Sequence, residues 1–188
     1  RVGRNVLSEA KVTVSGTYQP EFDAAFLNDG FDRTSVNEWR WISNQATETW
    51  AEFRLAEPVT VTAFRLVTGF TRGGDRVGVV QDSVLQRRDG EHWIDIPATQ
   101  LAGNEKSDIV RTFEPVRASQ FRLLVTRAPD NLARIWETQV DAAKGILLRG
   151  NGEASSRSLR HCTPTDENHQ DDPTIKTPIS SKHARRGC

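Results

Sequence analysis

Apolar and polar residues alternate with a period of two through the first three quarters of the chain. In "TWAEFRL", Ala51, Phe53 and Leu55 share one face, while Trp50, Glu52 and Arg54 share the other, the pattern of a half-buried strand. "VTVTAFRLVTG" is richer in β-branched residues and predicts a strand covered on both faces. "DSVLQRR" runs into a hairpin turn at Asp89-Gly90, and "HWIDI" resumes at once. "DIVRTF" and "QFRLLVT" follow, separated by a Pro-containing turn, and "RIWETQV" closes the series. No segment carries a long 3.6-residue apolar repeat with caps. Short strands joined by Gly, Pro, Asp and Asn turns predict an all-β fold, an antiparallel β-sandwich or jelly roll. Roughly 140 residues suffice for the single core of such a sandwich.

The pattern stops near Ala143. From there "SSRSLRHCTPTDENHQDDPTIKTPISSKHARRGC" is polar, and only "GILL" offers apolar surface for docking. Burial there cannot offset an ordering entropy of roughly 1–2 kcal/mol per residue. The expectation is a folded domain over 1–143 and a disordered tail over 144–188. His161, Cys162, His169, His183 and Cys188 are ligand types that suit zinc, but their spacing lacks the paired short gaps of zinc sites.

Charge narrows the function classes. The 25 Lys and Arg balance 25 Asp and Glu, and the first 140 residues hold no basic run, so nucleic acid is not an expected partner. No apolar stretch approaches the ~18 residues of a membrane helix, and membrane insertion is not expected. The chain neither begins with Met nor contains one, which points to a mature product or an excised fragment. The sequence contains no G-x-S-x-G, H-E-x-x-H or P-loop motif, and His92 is the one histidine in the expected folded part.

The motifs, taken in order, resemble the discoidin family, also called coagulation factor V/VIII type C domains, and the related galactose-binding carbohydrate-binding modules. "NVLSEAKVTVSG" matches the opening strand, "AAFLNDG" the A-x-x-DG turn, and "WAEFRLAEPVTVTAFRL" the central strand pair. "RDGEHWIDIP" resembles the family's DG-x-x-W hairpin, and "FEPVRASQFRLLVTRAPDNLARIWETQV" its closing segment. Two departures stand out. "SVNEWRW" delays the expected Trp, predicting a longer loop, and Gln139 stands where a second carboxylate is usual.

The resemblance implies a structural Ca2+ where the DG turn meets the last strand. Position by position, its ligands fall on Asp29, the Phe31 carbonyl, Thr34, the Phe26 carbonyl and Glu137, with the Trp136 carbonyl as a further candidate. Hard oxygen donors in loose geometry suit calcium, and Gly30 would permit a positive φ in the turn. The alternative is a type I turn in which Asp29 bonds nearby backbone amides.

Among the five tryptophans, the family pattern implies core positions for Trp41, Trp50 and Trp93, with Trp136 beside the ion. Trp39, between Glu38 and Arg40, is the candidate for an exposed ligand contact, with Arg40 beside it. The loop "TGFTRGGDRVGVVQD" offers Arg72, Asp75 and Arg76 as donors and acceptors to sugar hydroxyls, with Glu21 as a further candidate from a neighbouring loop. The alternative for that loop is a solvated hairpin with an Arg–Asp surface pair. The resulting expectation is a non-catalytic module that binds a glycan or polysaccharide. It would belong to a larger multidomain protein outside the cell or on its surface. The competing expectation is a protein- or phospholipid-binding adhesion module of the discoidin type.

Overall fold

Two long bent strands organise the molecule. The structure, a computed structural model, describes residues 3–32 and 34–143. The strands are β1 (Lys11–Val14), β2 (Trp41–Ile42), β3 (Thr49–Thr68), β4 (Phe70–Arg72) and β5 (Asp75–Val77), then β6 (Asp82–Asp89), β7 (His92–Asp95), β8 (Asp108–Arg127) and β9 (Arg134–Ala142). Short 3-10 turns at Leu7–Glu9, Ala24–Leu27, Pro97–Thr99 and Pro129–Asn131 are the helical elements among the described residues. The tail over 144–188 and its possible zinc ligands lie outside the described residues.

β3 and β8 pair antiparallel along most of their length, with register shifts between Arg54 and Val59 and between Val61 and Ala63. Such irregularities bend a strand sharply, so each strand serves two layers. The first half of β3 pairs with β1 and with the second half of β8, which continues to β6 and β7. Beyond the bend, β3 pairs with the first half of β8 and with β9, and β9 pairs with β2. The two layers form the antiparallel β-sandwich the alternation predicts.

The core lies where the alternation places it. Ala51, Phe53 and Leu55 of β3 are buried against Phe121, Leu123 and Val125 of β8. Past the bend, Val61, Ala63, Phe64, Leu66 and Val67 are all buried, as the β-branched run predicts. Trp41 and Trp136 are the largest fully buried side chains. Trp50 and Trp93 depart from the expected core role. Both are half-buried on the outward side, because Trp50 shares its face with Glu52 and Arg54. Trp93 packs against the guanidinium groups of Arg88 and Arg122, 5.2 and 4.6 Å from its ring centroid.

Candidate functional site

The DG turn reaches the last strand. Asp23 caps the short 3-10 turn Ala24–Leu27 by accepting from the Ala25 amide at 2.7 Å, which sets up the bend at Asn28-Asp29-Gly30. Asn28 is buried and donates to the Leu7 and Ala10 carbonyls, holding the turn against the N-terminal segment. Gly30 has φ +83°, a value glycine adopts without a Cβ penalty. Its amide donates to Glu137 Oε2 at 3.2 Å, so residues 107 positions apart meet here.

Glu137 is fully buried. Burial pushes its carboxyl up to about 8, against the pull of the Gly30 amide and the Gln139 side chain, while the nearby Asp29 charge raises it further. Asn5 Nδ2 approaches Oε1 at 3.5 Å, and Arg65 acts on the carboxylate from a distance. The Arg65 guanidinium is instead held by Asp32 and Asp108, both at 2.7 Å. Gln139, which stands where a second carboxylate is usual, hydrogen-bonds to Glu137.

Both readings of the Asp29 turn find support in the geometry. Asp29 Oδ1 accepts from the Phe31 amide at 2.9 Å, as in a closed Asx-type turn. At the same time Asp29 and Gly30 lie beside a buried carboxylate with no ion-pair partner among the described residues. No cluster of three or more His, Cys, Asp or Glu side chains among the described residues is placed to share an ion. A cation here would therefore rest on two carboxylates together with backbone carbonyls. The donor chemistry fits calcium in kind: a buried, undercompensated carboxylate beside a second one on a tight turn. Thr34 is half-buried, and its carbonyl accepts from the Thr71 hydroxyl.

The loop from Thr34 to Arg40 sends neighbouring side chains in opposite directions. Trp39 has φ +52°, rare for a bulky residue, and its side chain is 42% exposed. β2 begins only at Trp41, so Trp39 and Trp41 do not share strand alternation. Arg40 turns inward and is buried, which removes it from the solvent-facing ligand contacts expected from sequence. Its guanidinium donates to the Asn37 carbonyl and to Asn37 Oδ1, and lies 5.8 and 5.7 Å from the Phe22 and Trp136 ring centroids. Burial, aided by the Arg134 charge, lowers Arg40 to about 10.

Trp39 meets residues that the sequence reading assigned to the ion. Phe26, Asp29, Phe31 and Trp39 line one open cleft of about 200 Å3, with Phe31 52% exposed. The cleft thus has aromatic walls and a carboxylate at its edge. Asn37 couples this loop to the β4–β5 hairpin, donating from Nδ2 to the Thr71 carbonyl and accepting the Thr71 amide on Oδ1, each at 2.8 Å. Gly73 and Gly74, at φ +60° and +93°, close that hairpin in a two-residue turn. Arg72 lies over the Phe70 ring at 5.0 Å, and Arg76 donates to Ser107 Oγ at 3.1 Å. Asp75 and Glu21 are exposed on the hairpin and on the loop beside Phe22.

Two contributors escape sequence reading. Asn5 accepts the Leu7 and Val140 amides on Oδ1 while facing Glu137, a role that spans the whole domain and leaves no local signal. Phe31 brings an exposed ring to the cleft, where the sequence pointed only to its carbonyl, and its place next to a Gly-containing turn is the available hint.

An antiparallel β-sandwich that carries its exposed aromatic residues on loops is the class of protein these features define. The chain belongs to the F5/8 type C domain family, whose profile matches residues 11–138. Among solved structures it resembles chitosan-binding module 2 of a Paenibacillus sp. IK-5 chitosanase/glucanase, determined with chitotriose. That match has 16% identity, a TM-score of 0.61, and covers 73% of this chain and 100% of the module. A family 32 carbohydrate-binding module of Streptococcus pneumoniae EndoD matches at 19% identity and TM-score 0.60, over 74% of this chain and all of the other. The Clostridium perfringens module CpGH89CBM32-5, in complex with GalNAc-β-1,3-galactose, matches at 16% identity and TM-score 0.59, over 74% and 100%. No curated protein matches the chain. At these identities the likeness establishes a shared fold with carbohydrate-binding modules.

Proposed function

We propose that this domain is a non-catalytic glycan-binding module with a structural calcium, tethering a larger secreted or surface protein to a polysaccharide. The observation that carries the reading is the cleft formed by Phe26, Phe31 and Trp39 with Asp29 at its edge. Aromatic faces offer the apolar C–H surface of a pyranose a flat partner, and a carboxylate orients its hydroxyls. A tryptophan held at positive φ on a loop is a strained conformation of the kind found at ligand clamps. Sugar-binding neighbours of the same fold support the ligand class.

Calcium, when bound, would supply the positive charge that Glu137 lacks. Asp29 and Glu137 would hold it as carboxylates, with Thr34 and the carbonyls of Phe26, Phe31 and Trp136 as further donors. Arg72, Asp75, Arg76 and Glu21 would act as peripheral contacts, whereas Arg40 shapes the loop from inside.

A glycan array with and without chelator, run beside liposome sedimentation, tests this reading. Binding of a glycan that is lost in Trp39→Ala and in Phe31→Ala, with Tm unchanged, is the expected outcome. Sedimentation with anionic liposomes and silence on the array would instead favour a phospholipid-binding discoidin module.

A further inference from the structure

The outer face of the β1–β3–β8 layer carries a second polar site that shares no lining residue with the Trp39 cleft. Lys11 of β1 and Arg54 of β3 are direct cross-strand partners. Like charges placed opposite each other on one face repel and weaken the pair. No ion pair relieves this: among the described residues, neither Lys11 nor Arg54 has an ion-pair partner. The nearest acid on the strand, Glu52, approaches Arg122 at 4.0 Å instead. The Arg122 guanidinium is in turn fixed by Gln86 Oε1 at 2.8 Å and by the Trp93 ring. Two cations are thus left facing solvent side by side.

They border a depression of about 170 Å3 that Thr13, Glu52, Trp93 and Gln120 complete. Gln120 is the cross-strand partner of Arg54, and Thr13 that of Glu52, so both rows of the site are set by strand register rather than by loops. The lining is mixed: two cations, a neutral amide, a hydroxyl, a carboxylate and an indole. Two cations beside a carboxylate do not suit a densely charged polyanion, since Glu52 would repel its second and third charges. They suit one negative group on a ring that otherwise bears hydroxyls.

We infer that this depression binds a single anionic sugar residue of a glycan chain. Its carboxylate or sulfate lies between Lys11 and Arg54, and its hydroxyls bond Gln120, Thr13 and Glu52. The ion pair joins the guanidinium fork and the ammonium to one anion and removes the repulsion across β1 and β3. The site does not depend on the Trp39 cleft, and either can fail alone.

The test uses the full chain, 15N-labelled, titrated with digalacturonate, with a monosulfated disaccharide, with a neutral disaccharide and with sodium sulfate. The expected result is binding of one or both acidic disaccharides, with shifts centred on residues 11–13, 52–54 and 120, at least tenfold tighter than the neutral sugar or sulfate. Which acidic probe binds separates uronate from sulfate as the source of the charge. Lys11→Ala and Arg54→Ala should each weaken that binding about tenfold and leave Tm unchanged or higher, whereas Trp39→Ala should leave it intact. Equal binding of neutral and acidic sugars would overturn the inference. So would sulfate alone binding as well as the sugar, loss of binding in Trp39→Ala, or a lower Tm in both cation variants.

Discussion

Glu137 and Arg40 show how one side chain can decide the behaviour of this fold. Glu137 is held up to about 8 by burial, well above its ordinary value near 4.5. The folded state therefore binds a proton that the unfolded state releases between these values. That contribution to stability is fully present below about pH 4.5 and is lost as pH rises through about 8. In chelator, Tm should fall across this window, with a loss of stability on the order of a few kcal/mol. Glu137→Gln should flatten the slope, and calcium should stabilise most at the alkaline end, where the carboxylate is free to ligate. Arg40 stacks near two aromatic rings while donating to Asn37. Arg40→Ala is expected to cost about 2 kcal/mol in urea unfolding. Arg40→Lys should restore little of it, because an ammonium cannot reproduce the planar fork.

Strands and turns were legible to different degrees. The alternation of Ala51, Phe53 and Leu55 and of Phe121, Leu123 and Val125 sufficed to place the core, since strand parity is a local property that burial then enforces. The same parity, read strictly, puts Trp50 outward with Glu52; the family pattern implies a core position, and the structure sides with parity. The inward turn of Arg40 could not be read locally, because the rings that receive it come from Phe22 and from Trp136, almost a hundred residues on. Of the candidate site, the DG turn and its meeting with Glu137 were foreseen through the family motif, whereas the pairing of Trp39 with Phe26 and Phe31 arises from loop packing. The loop itself leans on the β4–β5 hairpin through Asn37. Asn37→Ala removes both bonds to Thr71 and should cost about 1–2 kcal/mol. Hydrogen–deuterium exchange should then quicken at Thr71 and through residues 34–40, leaving β3 and β8 protected.

At the scale of the whole molecule, β3 and β8 tie the two layers into one core, the N-terminal segment is sewn to β9 at Asn5 and Val6, and the DG turn is joined to it at Gly30. Because an early turn closes onto β9 at Glu137, the proposed cation there would act on global stability. Calcium should raise Tm of the whole domain in a single transition, while magnesium, which demands a tighter octahedral shell, should do so far less. The proposed tethering role depends on the loop aromatics rather than on this clamp. Its most direct test follows the five tryptophan indole N–H signals of the calcium-loaded chain by NMR while chitotriose and, separately, GalNAc-β-1,3-galactose are added. The expected result is a saturable shift of the Trp39 indole with one of these sugars, with Trp41 and Trp136 unmoved. A neutral sugar that saturates and shifts other residues but leaves Trp39 and Phe31 untouched, or no shift of Trp39 with any glycan from a broad array, would contradict the assignment of this cleft.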